Sequence, residues 1–380
     1  MNNHQKNLLI TTDFPPDFGG VANYWANLSF ELAKVIGEDN YFVLAPEISV
    51  SDKFDITQNY IIFRKKMDKK SWPKWWPILT ESWKVIKKKK IQHLFVTQIL
   101  PVGTVALILK FFLNIKYSIS IHGLDLAFAQ KSKRKSFLAR IILKNAEKII
   151  ANSQFTARKI VSFDKSLKNK IITVYPCPNY FPTEISKERN DEFLKERSFE
   201  NKQLILSVGR LVERKGFDLM IKAMPLVLQK FPKAIYAIYG DGQDESRLRE
   251  LIKQKDLQNS IFIFDKEKKE NLPLFFANSE IFVMPCRERK DGDVEGFGIV
   301  YLEANLFGKP AIAGNSGGAP EAVLDTLNGF VVDPQDELDL AGKVIQLLEN
   351  PELAQKMGEF GKKRVLRDFT WEKQARKLLK

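Results

Sequence analysis

Short runs of consecutive apolar residues recur along this chain, separated by longer stretches in which apolar positions return every three or four residues. Runs at 7–12, 41–45, 60–63, 93–97, 117–121, 148–151 and 171–174 predict short strands, and most are followed by a helical stretch such as 21–35. The apolar character is continuous rather than alternating, as expected of strands covered on both faces in a parallel sheet. A charged stretch with little periodicity, 185–202, then interrupts the pattern. The pattern restarts at 203–208, continues through a helix at 217–228, and repeats at 234–239, 261–264, 281–284, 310–313 and 329–332. The final stretch, 351–380, is helical in pattern and carries Phe369-Thr370-Trp371. The predicted fold class is therefore α/β, with two Rossmann-like domains. The expected boundaries are a first domain at 1–183, a linker at 184–202, a second domain at 203–365 and a C-terminal helix at 366–380. Two such domains facing each other make a cleft, and ligands of open parallel sheets collect beyond the C-terminal strand ends. Functional residues are thus expected just after strands.

Length and composition agree with two cores. At 380 residues the chain exceeds the usual size of one, and its 44% hydrophobic content can fill both. Cys177 and Cys286 are the only cysteines, too few for a disulfide framework and without metal-ligand spacing, which fits a reducing cytoplasm. No signal-peptide pattern precedes Leu8-Leu9-Ile10, and no apolar stretch reaches the ~20 residues that span a bilayer. Charge is uneven. Residues 1–183 hold 28 Lys and Arg against 13 Asp and Glu, whereas the remainder holds 32 against 33. A basic half joined to a neutral half points to an anionic partner for the first half.

The candidate chemistry lies after the strands. In Val294-Glu295-Gly296-Phe297-Gly298-Ile299-Val300-Tyr301-Leu302-Glu303 a glycine-rich turn opens an apolar helix between two glutamates. A helix starting near Gly298 turns N–H groups and a positive dipole end toward a phosphate, while Glu295 reaches a sugar hydroxyl and Glu303 accepts from a ribose. An exposed glutamate and an amphipathic helix would read the same way. After the run ending at Val208, Gly209-Arg210-Leu211-Val212-Glu213-Arg214-Lys215-Gly216 places Arg210 and Lys215 around a loop leading into a helix, suited to a diphosphate leaving group. Arg214 is expected to be solvated. Gly19 and Gly20, at the end of Asp13-Phe14-Pro15-Pro16-Asp17-Phe18-Gly19-Gly20, open a helix and either expose N–H groups to a phosphate or sugar or serve turn geometry alone. His122, at a strand end before Gly123, suits a sugar-hydroxyl contact, and Asp125 a second contact or a helix cap. Tyr239-Gly240-Asp241-Gly242 reads as a tight turn. Ser316-Gly317-Gly318 reads either as a lining of the cleft or as an ordinary connection. Asp291-Gly292-Asp293 has the form of a divalent-metal Asp-x-Asp, but it sits in a charged loop beside cations, so no metal ligand is assigned.

Taken in order, Gly19-Gly20, His122-Gly123, Gly209-Arg210 with Lys215-Gly216, Glu295 and Glu303 with seven residues between them, and Gly317-Gly318 resemble the retaining glycosyltransferases of family four. That family has the GT-B fold, whose last helix crosses back to the first domain, a role suited to the segment around Trp371. The stretches 293–304 and 313–321 look most like bacterial mannosyltransferases that extend phosphatidylinositol mannosides from GDP-mannose. The resemblance implies that Arg210 and Lys215 hold the donor diphosphate, Glu303 the ribose, and Glu295 and His122 the transferred sugar. Backbone groups of Gly20 and of Phe297, Gly298 and Ile299 complete the cradle. It implies no cofactor and no metal, and attack by the acceptor hydroxyl on the face the diphosphate leaves. Backbone groups near Asp265 and Lys266 are the expected place for the base.

The expected activity is transfer of a hexosyl group, mannose from GDP-mannose, to a lipid-linked or envelope glycan hydroxyl. A UDP-sugar donor and a non-catalytic sugar- or lipid-binding module of the same fold are the alternatives. A nucleotide-sugar epimerase would need more cleft histidines than a chain with three provides. Nucleic-acid binding would leave the second half without a role. Between Arg64 and Lys90, tryptophans at 72, 75 and 76 among lysines predict docking on an anionic membrane surface, hence a peripheral position at the cytoplasmic face of the cell membrane. A lysine-rich helix end at Lys87 to Lys90 is the competing explanation.

Overall fold

The computed structural model describes residues 5–16, 19–48, 51–67, 73, 75–179, 182, 184–265 and 267–379, apart from the side chain of Lys269. Lys266 and the Trp72 and Lys74 part of the basic segment lie outside them. The chain forms two compact units, one of residues 1–177 with 370–380 and one of residues 178–369.

The first unit is built on seven parallel strands: β1 (Asn7–Ile10), β2 (Tyr41–Pro46), β3 (Ile61–Lys65), β4 (His93–Val96), β5 (Lys116–Ile121), β6 (Lys148–Ala151) and β7 (Ile171–Thr173). Their order is β3-β2-β1-β4-β5-β6-β7, which reverses direction between β1 and β4. Leu8, Leu9 and Ile10 of β1, with Leu94, Phe95 and Val96 of β4, are wholly buried. These central strands have no solvent face, and their sequence is accordingly a plain apolar run. Helix Trp371–Leu379 also belongs to this unit and packs on helix Gly20–Ile36. Tyr24 sets its ring edge-on to Trp371, with centroids 5.5 Å apart, and donates its hydroxyl to Val174 O at 3.0 Å. Gln374 Oε1 accepts from Tyr175 N at 3.0 Å, and Lys148 Nζ donates to Leu378 O at 3.1 Å. The helical pattern at 351–380 is therefore two helices, Pro351–Asp368 and Trp371–Leu379, and the chain changes unit at the break between them.

The second unit holds six parallel strands: β8 (Gln203–Val208), β9 (Ala234–Tyr239), β10 (Ile261–Phe264), β11 (Ser279–Met284), β12 (Ala311–Gly314) and β13 (Gly329–Val332). The order β10-β9-β8-β11-β12-β13 repeats the reversal, now between β8 and β11. Loops leaving the C-terminal ends of β8 and β11 thus meet over a topological switch point. The stretch 184–202, expected as a linker, carries helix Lys187–Glu196 in this unit. Its one buried side chain, Phe193, lies edge-on against Phe275 at 4.9 Å.

Candidate functional site

The loop after β8 is held from below. Gly209 donates its N–H to Tyr239 O at 3.0 Å, and Leu211 donates to Asp241 O at 2.6 Å. A Cβ on Gly240 would stand 2.1 Å from Gly209 O, and one on Gly242 2.4 Å from Leu211 O. The Gly240-Asp241-Gly242 turn is therefore the bed on which the Arg210 loop lies, a role its sequence does not announce. Arg210 itself is exposed and, among the described residues, forms no ion pair. Gly216, at φ 76°, ends the loop where a Cβ would sit 2.1 Å from Pro285 O, so only glycine lets it touch the chain leaving β11.

Across the switch point stands Glu295. Lys215 Nζ lies 2.6 Å and Arg214 Nη1 2.7 Å from its Oε2, and Arg214 Nε lies 3.3 Å from Asp293 Oδ1. Burial alone would raise the Glu295 carboxyl, but Lys215 and then Arg214 outweigh it and hold the group at about 2. Arg214 is thus not the solvated residue the loop composition suggests. It is an ion-pair partner, with only 21% of its side chain exposed. Asp293 is its second anion, so the Asp-x-Asp there serves an arginine. Among the described residues, no three His, Cys, Asp or Glu side chains converge as metal ligands would.

The turn 296–298 rests on the other glycine pair. Gly318 donates its N–H to Glu295 O at 2.9 Å, and Cβ atoms on Gly317 and Gly318 would lie 2.1 Å from Glu295 O and Gly296 O. Ser316-Gly317-Gly318 is therefore a support for the turn, beyond an ordinary connection. Gly298, at φ 91°, precedes helix Ile299–Leu306, whose N-terminus no side chain caps, and a Cβ there would meet the Tyr301 ring at 2.4 Å. Tyr301 is fixed by donating its hydroxyl to Met284 O at 2.6 Å. The Phe297 side chain is buried against Phe369, which leaves only its backbone for a ligand. Glu303 is 3% exposed and accepts from Asn179 N at 3.3 Å. Burial raises its carboxyl to about 7, despite the opposing N–H and the Lys215 charge.

The first unit brings its own predicted residues together. Gly19 is the N-cap of helix Gly20–Ile36, which has no side-chain cap and no acid in its first turn. A Cβ on Gly20 would meet nothing within 4 Å, so its backbone borders open space. One turn along the same helix, Tyr24 meets the His122 ring edge-on at 5.1 Å. His122 Nε2 lies 2.8 Å from Ser120 Oγ, and burial lowers the imidazole to about 4, so it is neutral at neutral pH. Asp125 accepts from His122 N at 2.9 Å, and burial lifts its carboxyl to about 6. Arg64, counted with the basic segment, is instead interior. Its Nη2 lies 2.7 Å from Asp55 Oδ1, and Nη2 also donates to Pro15 O at 2.5 Å, tying Pro15 to strand β3.

Two family models match this arrangement: "Glycosyltransferase Family 4" over residues 18–178 and "Glycosyl transferases group 1" over 188–364. The chain is 30% identical over 387 residues to the GDP-mannose-dependent monoacylated alpha-(1-6)-phosphatidylinositol monomannoside mannosyltransferase of Corynebacterium glutamicum, covering 98% of this chain and 96% of that one. It is 28% identical, with the same coverage, to the GDP-mannose-dependent alpha-(1-6)-phosphatidylinositol monomannoside mannosyltransferase of Mycolicibacterium smegmatis. Among solved structures, a glycosyltransferase from Rickettsia africae superposes with a TM-score of 0.83 at 20% identity, over 99% of this chain and 97% of that one. Anabaena HepE in complex with UDP superposes with a TM-score of 0.81 at 17% identity, over 99% and 98%. With the doubly wound sheet order in both units and the charged switch point in the second, these likenesses make the chain a hexosyltransferase of glycosyltransferase family 4, with the GT-B fold.

Proposed function

We propose that this glycosyltransferase moves mannose from GDP-mannose, with retention at the anomeric carbon, to a hydroxyl of a lipid-linked or envelope glycan acceptor. The observation that carries the reading is the charge cluster over the β8/β11 switch point. Arg214 and Lys215 pair with Glu295, Arg214 also meets Asp293, and Arg210, exposed in the same loop, forms no ion pair among the described residues. A diphosphate docks against Arg210 and the uncapped start of helix Ile299–Leu306, with Lys215 as a second cation. Glu303, already dehydrated, accepts from the ribose hydroxyls, Glu295 takes a hydroxyl of the sugar, and His122, within the first unit, offers its neutral ring to a sugar hydroxyl. The acceptor oxygen bonds to the anomeric carbon as the bond to the diphosphate oxygen breaks on the same face. The acceptor's proton passes to the departing phosphate oxygen. No metal ion is assigned to the leaving group, since these cations and the helix terminus meet its charge. The relatives from Corynebacterium glutamicum and Mycolicibacterium smegmatis, named as GDP-mannose-dependent phosphatidylinositol monomannoside mannosyltransferases, favour GDP-mannose and a glycolipid acceptor. The UDP-glucose complex of HepE keeps a UDP-sugar as the second reading.

The acceptor would be met at a membrane surface. Helix Trp76–Lys89 exposes Trp76 and Trp83 beside Lys84, Lys87 and Lys88, and the helix packed against it, Val102–Leu113, exposes Phe111 and Phe112 at 70% and 74%. Aromatic side chains beside lysines suit the headgroup region of an anionic leaflet. No helix among the described residues is long and apolar enough to cross a membrane. The deciding experiment is thermal stabilisation by GDP-mannose, UDP-glucose, GDP and UDP, with Glu303→Ala as control. A ligand at 100 times its Kd should add about 2.7 kcal/mol. Stabilisation by guanine nucleotides alone, lost in Glu303→Ala, supports the reading. Stabilisation by uridine nucleotides alone replaces GDP-mannose with a UDP-sugar, and none with either refutes the donor site.

A further inference from the structure

The first unit carries a second cationic feature, on the edge of its sheet. A groove of about 640 Å³ lies along the edge strand β7, between helix Gln154–Phe163 and helix Trp371–Leu379. Its floor is apolar, formed by Ala157, Val161, Ile171 and Ile172, and its rim carries Arg158, Lys168 and Lys377. No carboxylate lines it. Among the described residues Arg158 and Lys168 have no ion-pair partner, although other exposed cations of this unit, Lys84 and Lys116 among them, do. Lys377 is half-buried, its Nζ 5.3 Å from the centre of the Tyr175 ring. Burial and the nearby Lys373 both press its ammonium toward losing its proton, a cost that an anion in the groove would relieve. The volume falls within the ~300–1,000 Å³ of small-molecule sites.

We propose that this groove binds a phosphate-bearing small molecule, with its anion between Arg158, Lys168 and Lys377 and its less polar body on Val161 and Ile171. Arginine forks onto phosphate oxygens and the lysines add point charges, so three cations lining one groove without a counter-acid select phosphate over a neutral ligand. The occupant ties together two helices that are far apart in sequence. One of them, Trp371–Leu379, ends the chain's return into the first unit. Binding would therefore stabilise the docking of that helix. The groove is built only of first-unit residues and is separate from the donor site of the second unit.

The test labels the chain with fluorotyrosine and follows the Tyr175 resonance, assigned through Tyr175→Phe, during titration with inorganic pyrophosphate. Pyrophosphate is expected to shift this resonance saturably. Arg158→Ala with Lys168→Ala should weaken the effect by roughly tenfold or more, as loss of charge-assisted hydrogen bonds predicts. Both side chains are exposed, so the doubly substituted protein should keep its urea midpoint and its transfer rate in the absence of added phosphate. Glycerol 3-phosphate and phosphatidylcholine vesicles with or without phosphatidic acid separate the two sources of the anion. A response to the first identifies a soluble phosphoester, and a response only to phosphatidic acid identifies a lipid headgroup. No saturable shift with any of them, or a shift that survives the double substitution, overturns the proposal.

Discussion

Lys215 Nζ lies 2.6 Å from Oε2 of Glu295, the same oxygen that Arg214 Nη1 approaches at 2.7 Å. One carboxylate oxygen thus fixes two cations that adjoin each other in sequence, and the ammonium is positioned before any ligand arrives. Such preorganisation avoids reorienting a charge during the reaction.

Replacing Glu295 by glutamine should lower the transfer rate by about 10²–10³, in line with the loss of one preorganised polar contact. It should also destabilise the fold by about 3 kcal/mol, because two cations lose their buried partner. The pH dependence has a definite sign. The folded-state carboxyl is held at about 2 against an ordinary 4.5, so its stabilisation is fully present above 4.5 and disappears as pH falls toward 2. Urea midpoints of the wild type and Glu295→Gln should converge across that window.

Glu303 has the opposite sign. Burial lifts its carboxyl from 4.5 to about 7, so the folded protein holds a proton that the unfolded chain releases, and stability declines as pH rises through that interval. Without donor, Glu303→Gln should be more stable than the wild type at pH 8 and little different at pH 4. With donor present the order should reverse. Denaturation midpoints at the two pH values, with and without GDP-mannose, check both halves.

Glycine substitutions separate support from tolerance. Gly318→Ala would drive a Cβ to 2.1 Å from Gly296 O, and should destabilise by about 1–3 kcal/mol and weaken donor binding as the 296–298 turn shifts. Gly342→Ala, inside helix Glu337–Glu349 with nothing within 4 Å of the new methyl, should stabilise by about 0.5–1 kcal/mol. Chemical denaturation of the two variants reads both effects.

His122 should not titrate in the neutral range. Burial lowers its imidazole from 6.5 to about 4, so nuclear magnetic resonance of the ring should show the neutral form down to about pH 5. A midpoint between 6 and 7 would contradict the buried placement against Tyr24. His122→Asn, which keeps a donor and an acceptor, should lose less donor affinity than His122→Ala.

Vesicle binding tests the aromatic face. Trp83→Ser with Phe112→Ser should release the protein from anionic vesicles while leaving transfer to a water-soluble acceptor unchanged. Equal co-sedimentation with neutral and anionic lipid would remove the membrane assignment. Added salt should weaken binding, since exposed charges carry part of it.

The strands were legible because strands buried on both faces are mostly apolar, and β1 and β4 read as apolar runs, while the polar residue buried in β8, Ser207, is paired with the Tyr236 hydroxyl. The site residues were legible where a glycine, a charge and a helix start fall within a few positions, as at Gly209-Arg210 and Gly296-Phe297-Gly298. The support beneath them was not. Arg214 resembles any basic loop residue until Glu295, distant in sequence, comes within 2.7 Å. Gly240, Gly242, Gly317 and Gly318 owe their necessity to carbonyls of other loops, contacts that no local pattern encodes. Helix Lys187–Glu196 escaped detection for another reason. It buries one side chain, Phe193, and so shows too little apolar periodicity.

The first unit ends with the last helix of this sequence, and that places a constraint on its birth. During synthesis a leading domain ordinarily folds as it emerges. Here one ring partner of Tyr24 is Trp371, made only after the whole second unit. Until then the face of helix Gly20–Ile36 that receives Trp371 stays uncovered, and a chain cut short at Phe369 would leave that apolar face exposed to aggregation or proteolysis.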